Sequence, residues 1–440
     1  MGKICGIDLG TTNSIIGWGD ELYTNLVSSS VDVSTKSQVE RDVVSKDVVS
    51  SYKVNMTTGK SGELPIACSS IILRELVNRA QRRAGEFIDE VVISVPAKFS
   101  HTQRQAVFTA AEKAGLVVKR LINEPTAAAI YVCRDMKDLV VVYDLGGGTF
   151  DVTILDSRAG NYFVVATDGD GFLAGDNLDR ALVEKAFNDC KVKVRFKNAE
   201  NIERMKVLTR KAKEAMQRTG LPQYVDMSSC GVDTDWVLTK EDYIDIMKQV
   251  FAPTVKITKQ ILHANLVDTE TPKMIFVGGS TACPYLREWV KSEVGLEEIE
   301  CDIQPDLIVA KGVALYAKMV EDGIADAEVD DVTKCLCIEN DLGMAEVIVE
   351  KNTIIPVSEV RTFDNTEDTQ FLNINLYQGD SIVCRENEYI GTLVYDFGEV
   401  RPAHTGIVEV EITVDRNGRV SLMATDITTC DTQKIDLVIH

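Results

Sequence analysis

The sequence predicts an α/β domain followed by an all-β domain, and three observations carry that prediction. Up to about Val320, strand-length apolar runs alternate with helix-period segments. Beyond it only short alternating strands are found. Within the first part an acidic, glycine-rich turn occurs twice, in GIDLGTTNSIIGWG from Gly6 and in VVVYDLGGGTFDVTIL from Val140. The 440 residues suit two or three domains, and 45% hydrophobic residues suffice for their cores. Formal charge is 47 − 68 = −21, which argues against general binding to nucleic acid or anionic lipid.

The elements follow in order. VVISVPA from Val91 is a buried strand. Ser100 then opens a helix, with Gln103 at capping-box spacing. Ala106, Val107, Ala110, Ala111 and Ala114 form its apolar face, and Gly115 ends it. In EPTAAAIYV, Pro125 takes a first helical position. Asp176 is expected to cap the next helix, whose apolar face is Leu178, Leu182, Val183 and Ala186. Two long helices are expected over about Ala199 to Arg218 and Lys240 to Leu262. EDGIADAEVDDVT reads as an acidic linker. In GIVEVEITVDRNGRVSLMATD, Val408, Val410, Ile412 and Val414 share one face, and Asn417-Gly418 marks a hairpin turn. QKIDLVI supplies a last strand, so the second part reads as a β-sandwich.

No signal peptide or membrane span is found, and the longest apolar runs, such as LVVVY at Leu139, are strand-sized. MGKICG has Gly6 where a myristoylation signal wants Ser or Thr. Eleven scattered cysteines suit free thiols in a reducing cytosol, and CLC at Cys335 lacks zinc-ligand spacing. A cytoplasmic location is expected. With only four histidines, His101, His263, His404 and His440, chemistry built on a Ser/His or Cys/His pair is disfavoured.

The repeated turn has a physical use. Glycines bring backbone N–H groups against phosphate oxygens, and Thr hydroxyls add donors. The carboxylates Asp8 and Asp144 would repel phosphate but can hold a hard cation such as Mg²⁺ through its waters. One such turn is more often an ordinary hairpin. Two suggest related lobes clasping one phosphate chain and one metal. A third motif, KMIFVGGSTACPYLREWV, places Gly278-Gly279-Ser280-Thr281 between a strand and a helix, where a flat base can lie against backbone. On its own this is a plain strand-to-helix turn. Glu124, at a helix N-terminus, is either a carboxylate favoured by the helix dipole or a group that orients an attacking water. The neighbouring motifs favour the second.

Together, GIDLGTTNS, VVISVPAKFSHTQRQA, LINEPTAAA, YDLGGGTFDVTIL, GDGFLAGDNLD, VGGSTACP and QPDLIVAKGVALYA resemble the seventy-kilodalton heat-shock chaperone family, in family order. KNTIIPVSEVRTFDNTEDTQ and QKIDLVI resemble that family's peptide-binding sandwich. The resemblance implies an actin-like, two-lobed duplicated ATPase domain over 1–321, a linker over 322–334 and a peptide-binding β-sandwich over 335–440. It implies ATP or ADP with Mg²⁺ as cofactors and K⁺ as a further candidate. It implies extended apolar segments of unfolded polypeptides as partners, J-domain co-chaperones and exchange factors beside them, and a role in protein folding and the stress response. By matching motif, Asp8 and Asp144 would hold Mg²⁺ through water. Gly10, Thr11, Thr12 and Asn13 would face the β- and γ-phosphates, as would Gly146, Gly147, Gly148 and Thr149. Glu124, Thr149 and Asp151 would form the catalytic set, Glu124 orienting the water and Asp151 contacting a cation. Gly175 and Asp176 would border ribose and phosphates, Gly278, Gly279 and Ser280 would flank adenosine with Asp306 close by, and Lys213 matches a family lysine. Ile338, Phe363, Leu372 and Ile374 would line the peptide pocket, although ordinary sandwich core would use the same residue types.

Departures from the family pattern matter as much. Between Asn13 and Pro96 the chain is shorter, and a Lys-Arg-Leu-Ile-Gly-Arg-like stretch, whose lysine helps activate water, has no counterpart; Lys36 lies too near the resumption to replace it. Slow ATP hydrolysis is therefore expected, the loss of one such group costing on the order of 10²–10⁴-fold. Ala282 replaces an arginine beside the base and Arg210 stands where a glutamate belongs, which predicts weaker nucleotide affinity. AEVDDV replaces an apolar linker, which weakens expected coupling between domains. Asp341 stands where a methionine arches over peptide, and the sequence stops at His440, where a helical lid would begin, so fast peptide exchange is expected. Two other readings compete: a nucleotide-responsive peptide-binding module with little ATPase activity, and a small-molecule kinase of actin-like architecture. The kinase reading leaves the sandwich unexplained.

Overall fold

The structure is a computed structural model that describes residues 3–435 except 41, 42, 44, 46, 57–59, 135, 137, 159–160, 268–270, 325–328, 333 and 341. The chain divides into two compact units. The first comprises 1–55, 64–98 and 110–328, and the second comprises 56–63, 99–109 and 329–440. The helices are α1 (Glu63–Ala84), α2 (His101–Lys113), α3 (Glu124–Val132), α4 (Gly175–Asp189), α5 (Ala199–Thr219), α6 (Lys240–Asn265), α7 (Pro284–Val294) and α8 (Pro305–Glu321).

The first unit holds two sheets with one shared pattern. In the first, Cys5–Leu9 pairs antiparallel with Asn13–Trp18 on one side and parallel with Glu90–Val95 on the other. In the second, Leu139–Leu145 pairs antiparallel with Phe150–Asp156 and parallel with Lys273–Val277. Each acidic turn thus joins a hairpin whose first strand is central to its sheet. Central strands lie between neighbours and are buried on both faces, which explains continuous apolar runs such as Leu139–Leu145. A small sheet of Ser30–Asp32, Ser37–Val39 and Val48–Val49 occupies the segment where the chain is short, and a 3₁₀ turn over Tyr52–Asn55 follows it.

The capping box of α2 forms as its spacing predicts. Ser100 N donates to Gln103 Oε1 at 3.0 Å, and Gln103 N donates to Ser100 Oγ at 3.3 Å. Pro125 sits in the first turn of α3. The cap of α4 is different from the expectation. Ala174 occupies the cap position, its N–H donating to Asn177 Oδ1 at 2.8 Å, while Asp176 lies in the first turn and accepts from Ser51 Oγ at 2.6 Å. Sequence spacing marked the right turn, but a cleft contact took the carboxylate away from capping.

The second unit is built on two four-stranded antiparallel sheets. Their order is Ala345–Val349, Leu336–Glu339, Thr369–Gln378, Glu388–Arg401 in one, and Val357–Asp364, Ile407–Val414, Val420–Asp426, Thr432–Ile435 in the other. Val408, Val410, Ile412 and Val414 are all buried and pack with Leu336, Leu376, Leu393 and Leu422. Burying each such aliphatic side chain contributes about 1.5–3 kcal/mol. Asn417 and Gly418 lie in the turn closed by Asp415 and Arg419, with Gly418 at φ +70°. Within the segment expected as a linker, Val329–Val332 forms a strand paired with Ile354–Ile355; residues 325–328 and 333 of that segment lie outside the described residues, as does 341.

Candidate nucleotide site

The two acidic turns border one cavity of about 700 Å³, within the usual size range of small-molecule sites. Each turn is held from behind. Ser29 clamps the first, its N–H donating to Thr12 O and its Oγ to Gly10 O, both at 2.8 Å. The second is clamped by the start of α4, where Gly175 N donates to Gly146 O at 3.1 Å and Asp176 N to Gly147 O at 2.9 Å. Ser280 Oγ adds a bond to Gly146 O at 2.8 Å, tying the third motif to the second. Gly278 takes φ +86°, and a Cβ there would lie 2.8 Å from Asp144 Oδ1.

Asp8, Gly10, Thr11, Thr12, Asn13, Glu124, Asp144, Gly146, Gly147, Thr149, Gly175, Asp176, Lys213, Gly278, Gly279, Ser280 and Asp306 all line this cavity. Gly148 borders a neighbouring cavity of about 600 Å³ that also touches Thr11 and Asp176, and Arg210 lies there too. Asp151 does not line the main cavity. It is buried opposite Asp144 in the hairpin and accepts from Lys98 N at 3.2 Å. Lys213 is also engaged within the protein, its ammonium ion-paired with the buried Asp179 carboxylate.

One finding corrects the sequence reading. A lysine does reach the site. Lys53 Nζ lies 2.6 Å from Glu124 Oε1, with Lys53 only 3% and Glu124 only 8% exposed, and both line the cavity with Asp8 and Asp144. The 3₁₀ turn Tyr52–Asn55 delivers it, after the short three-stranded sheet has carried the chain back towards the cleft. No motif surrounds Lys53 in SSYKVNM, so only tertiary structure could find it. Sequence reasoning also missed Ser94, whose Oγ donates to Asp8 Oδ1 at 2.8 Å, and the wall formed by Glu214, Gln217 and Tyr243.

The electrostatics around Asp8 and Asp144 are those of an anionic cluster against which Lys53 is set. Burial pushes the Asp8 carboxyl up to about 7, with the Glu124 charge adding and Lys53 and the Ser94 hydroxyl opposing. Burial, then Glu124, Asp151 and Asp8, raise Asp144 well above the carboxylate range. Burial also raises Asp306, whose Oδ1 is enclosed without a hydrogen-bond partner among the described residues. A further positive charge would relieve this crowding. Among the described residues no three acidic, His or Cys side chains converge to hold a metal directly. The donor set therefore fits a hydrated cation arriving with an anionic ligand rather than a caged metal. The glycines let the turns pack closely on one another: a methyl added at Gly147 would collide with Thr12 Oγ1, and one at Gly175 would lie 2.6 Å from Ser280 Oγ.

In the second unit, Ile338, Leu372 and Ile374 are 6%, 8% and 7% exposed and belong to the sandwich core, with the half-buried Phe363 packed against it. The large apolar side chains that do face solvent include Leu342, 84% exposed, and Ile382, 72% exposed. Their loops are stitched together by Ala345 N to Ile382 O at 2.9 Å and Cys384 N to Gly343 O at 3.1 Å.

Among the described residues no helix is long and apolar enough to cross a membrane. Comparison with family models matches the family described as Hsp70 protein over residues 26–439, a span that begins after the first acidic turn. The family binds ATP or ADP, generally with Mg²⁺, and acts on unfolded polypeptides with co-chaperones. A match over nearly the whole chain, joined to a cleft in which two acidic glycine turns face one cavity, shows that this chain belongs to the Hsp70 family of ATP-binding chaperones.

Proposed function

We infer that the chain hydrolyses ATP in the cleft of its first unit and holds extended apolar peptide on its sandwich. The Lys53–Glu124 pair carries this reading. The backbone N–H groups of the two glycine turns, with the Thr11 and Thr12 hydroxyls, bind the phosphate oxygens. Asp8 and Asp144 would hold Mg²⁺ through its waters, and that ion would neutralise charge on the phosphates. Glu124 accepts a hydrogen bond from the attacking water. Lys53 holds that carboxylate in place and sets positive charge beside the reacting phosphoryl group. The expectation of slow hydrolysis rests on a missing lysine, and the position of Lys53 beside Glu124 supports faster cleavage than that expectation allows.

For peptide, the exposed Leu342 and Ile382 on two linked loops offer apolar contact beside Ile338 of the adjoining strand. The test is single-turnover hydrolysis of labelled MgATP by the purified chain, with and without an unfolded peptide. Phosphate release that peptide accelerates supports the reading. Tight ATP binding with no cleavage would favour the second reading, a nucleotide-responsive peptide-binding module.

A further inference from the structure

Successive side chains of the strand Leu336–Glu339 point to opposite faces. Leu336 and Ile338 belong to the sandwich core. Cys337 therefore faces away from that core, yet it is only 1% exposed. It is covered by the loop 379–387, which joins Thr369–Gln378 to Glu388–Arg401 and carries the fully buried Cys384. Cys384 Sγ donates to Ile338 O at 3.5 Å, Asn387 Nδ2 donates to Cys337 Sγ at 3.6 Å, and the two sulfurs are in hydrogen-bonding contact.

The burial of this pair thus depends on one loop and not on the packed core. Asn387 braces the loop, its Oδ1 accepting from Ser381 N at 2.9 Å and its Nδ2 donating to Ser381 O at 2.8 Å. Ile382, two residues before Cys384, stands out from the same loop into solvent. Burial holds both thiols protonated, pushing Cys337 up to about 12, and the Glu339 charge adds to the rise at Cys384. The thiolate is the reactive form, so the closed loop protects the pair, and opening the loop uncovers both sulfurs together.

We propose that Cys337 and Cys384 are an oxidisable pair whose reversible disulfide fastens loop 379–387 to the strand beneath it and slows peptide exchange at Leu342 and Ile382. The effect on exchange rests on the peptide reading of those two loops. The oxidant is a peroxide. One thiolate attacks its O–O bond and becomes a sulfenic acid, and the leaving oxygen departs as water after taking a proton. The second sulfur displaces hydroxide from the first, which leaves as a second water once protonated, and the S–S bond forms. In total the pair gives up two protons and two electrons, and the peroxide is reduced to two waters. A dithiol reductant reverses the step by exchange.

The experiment treats the reduced full chain with hydrogen peroxide, blocks remaining thiols by alkylation, and maps peptides without reduction. A linked peptide joining Cys337 to Cys384 is expected. The link closes a loop of 384 − 337 = 47 residues. It should raise the melting temperature of the sandwich by about 5 °C or more and slow release of a labelled apolar peptide at least about threefold, and dithiothreitol should reverse both. Cys337→Ala and Cys384→Ser should each abolish the link and both shifts, while binding peptide like the reduced wild-type chain. A link from Cys335 to Cys337 overturns the inference, as does a pair that stays reduced while the exposed Cys430 is oxidised. A mapped link that leaves peptide release unchanged overturns the effect on exchange. A reduced chain that binds no peptide overturns the peptide reading, and the mapped link with its melting shift then still supports the disulfide site.

Discussion

Replacing Lys53 with Met tests the catalytic assignment most sharply. Met keeps much of the stem's bulk but removes the ammonium 2.6 Å from Glu124 Oε1. Two consequences follow. Loss of a positioned charge beside a phosphoryl group slows chemistry by about 10²–10³-fold, roughly 3–4 kcal/mol in the barrier. Removing one partner of a buried ion pair leaves a carboxylate uncompensated, at a cost of about 3–5 kcal/mol in the worst case. Glu124 borders the cavity rather than the packed interior, so the stability cost falls at the lower end or below. The assay is single-turnover cleavage of MgATP with enzyme in excess, read beside equilibrium binding and thermal unfolding. Cleavage should drop by two to three orders of magnitude (~10²–10³-fold) while MgATP affinity changes less than about tenfold. Lys53→Met combined with Glu124→Gln should lose little beyond either single change, because the lysine acts largely through the carboxylate. A Lys53→Met chain that binds ATP and cleaves it within about threefold of wild type refutes the assignment.

Further outcomes follow from the same geometry. The raised Asp8 carboxyl binds its proton more tightly in the folded chain than the ordinary value of 3.8 allows, so its contribution is full below about 4 and is lost as pH rises towards 7. In EDTA, Asp8→Asn should therefore gain stability over wild type progressively between pH 4 and 7, by roughly 2–4 kcal/mol at the plateau, and a melting-temperature difference that is flat with pH contradicts this. Gly147→Ala forces a methyl against Thr12 Oγ1 and should weaken MgATP binding by about tenfold or more with little change in melting temperature, as calorimetry would show. In the sandwich, Leu342→Ser and Ile382→Ser should weaken binding of a labelled apolar peptide while leaving stability within about 0.5 kcal/mol. Ile374→Ala, which opens a cavity in the core, should instead cost about 2–5 kcal/mol in denaturant unfolding.

Local chemistry made much of the fold legible in the sequence. The apolar run at Leu139–Leu145, the Ser100/Gln103 capping box and the alternation at Val408–Val414 each act over a few residues, and the structure repeats them. The repeated Asp-Leu-Gly turn was legible for the same reason. Lys53 was not, because an isolated lysine carries no periodicity, and its meaning depends on Glu124, 71 positions away. Asp176 has the sequence position of a cap before an apolar helix face, but its carboxylate is claimed by Ser51 from 125 positions away. The sandwich residues Ile338, Leu372 and Ile374 show the opposite difficulty. Core and peptide contact ask for the same side chains, and only burial separates them.

The central claim is that Asp8 and Asp144 serve one shared nucleotide–magnesium unit in the cavity their turns enclose. Titrating MgATP into the wild-type chain and into the Asp8→Asn, Asp144→Asn double variant tests it directly, with EDTA as the metal-free control. Both replacements keep the shape of the turns. The account predicts Mg²⁺-dependent binding by the wild-type chain and at least about a hundredfold loss in the double variant, towards the wild-type level in EDTA. Equal MgATP affinity in the two proteins, or wild-type binding indifferent to EDTA, would contradict it.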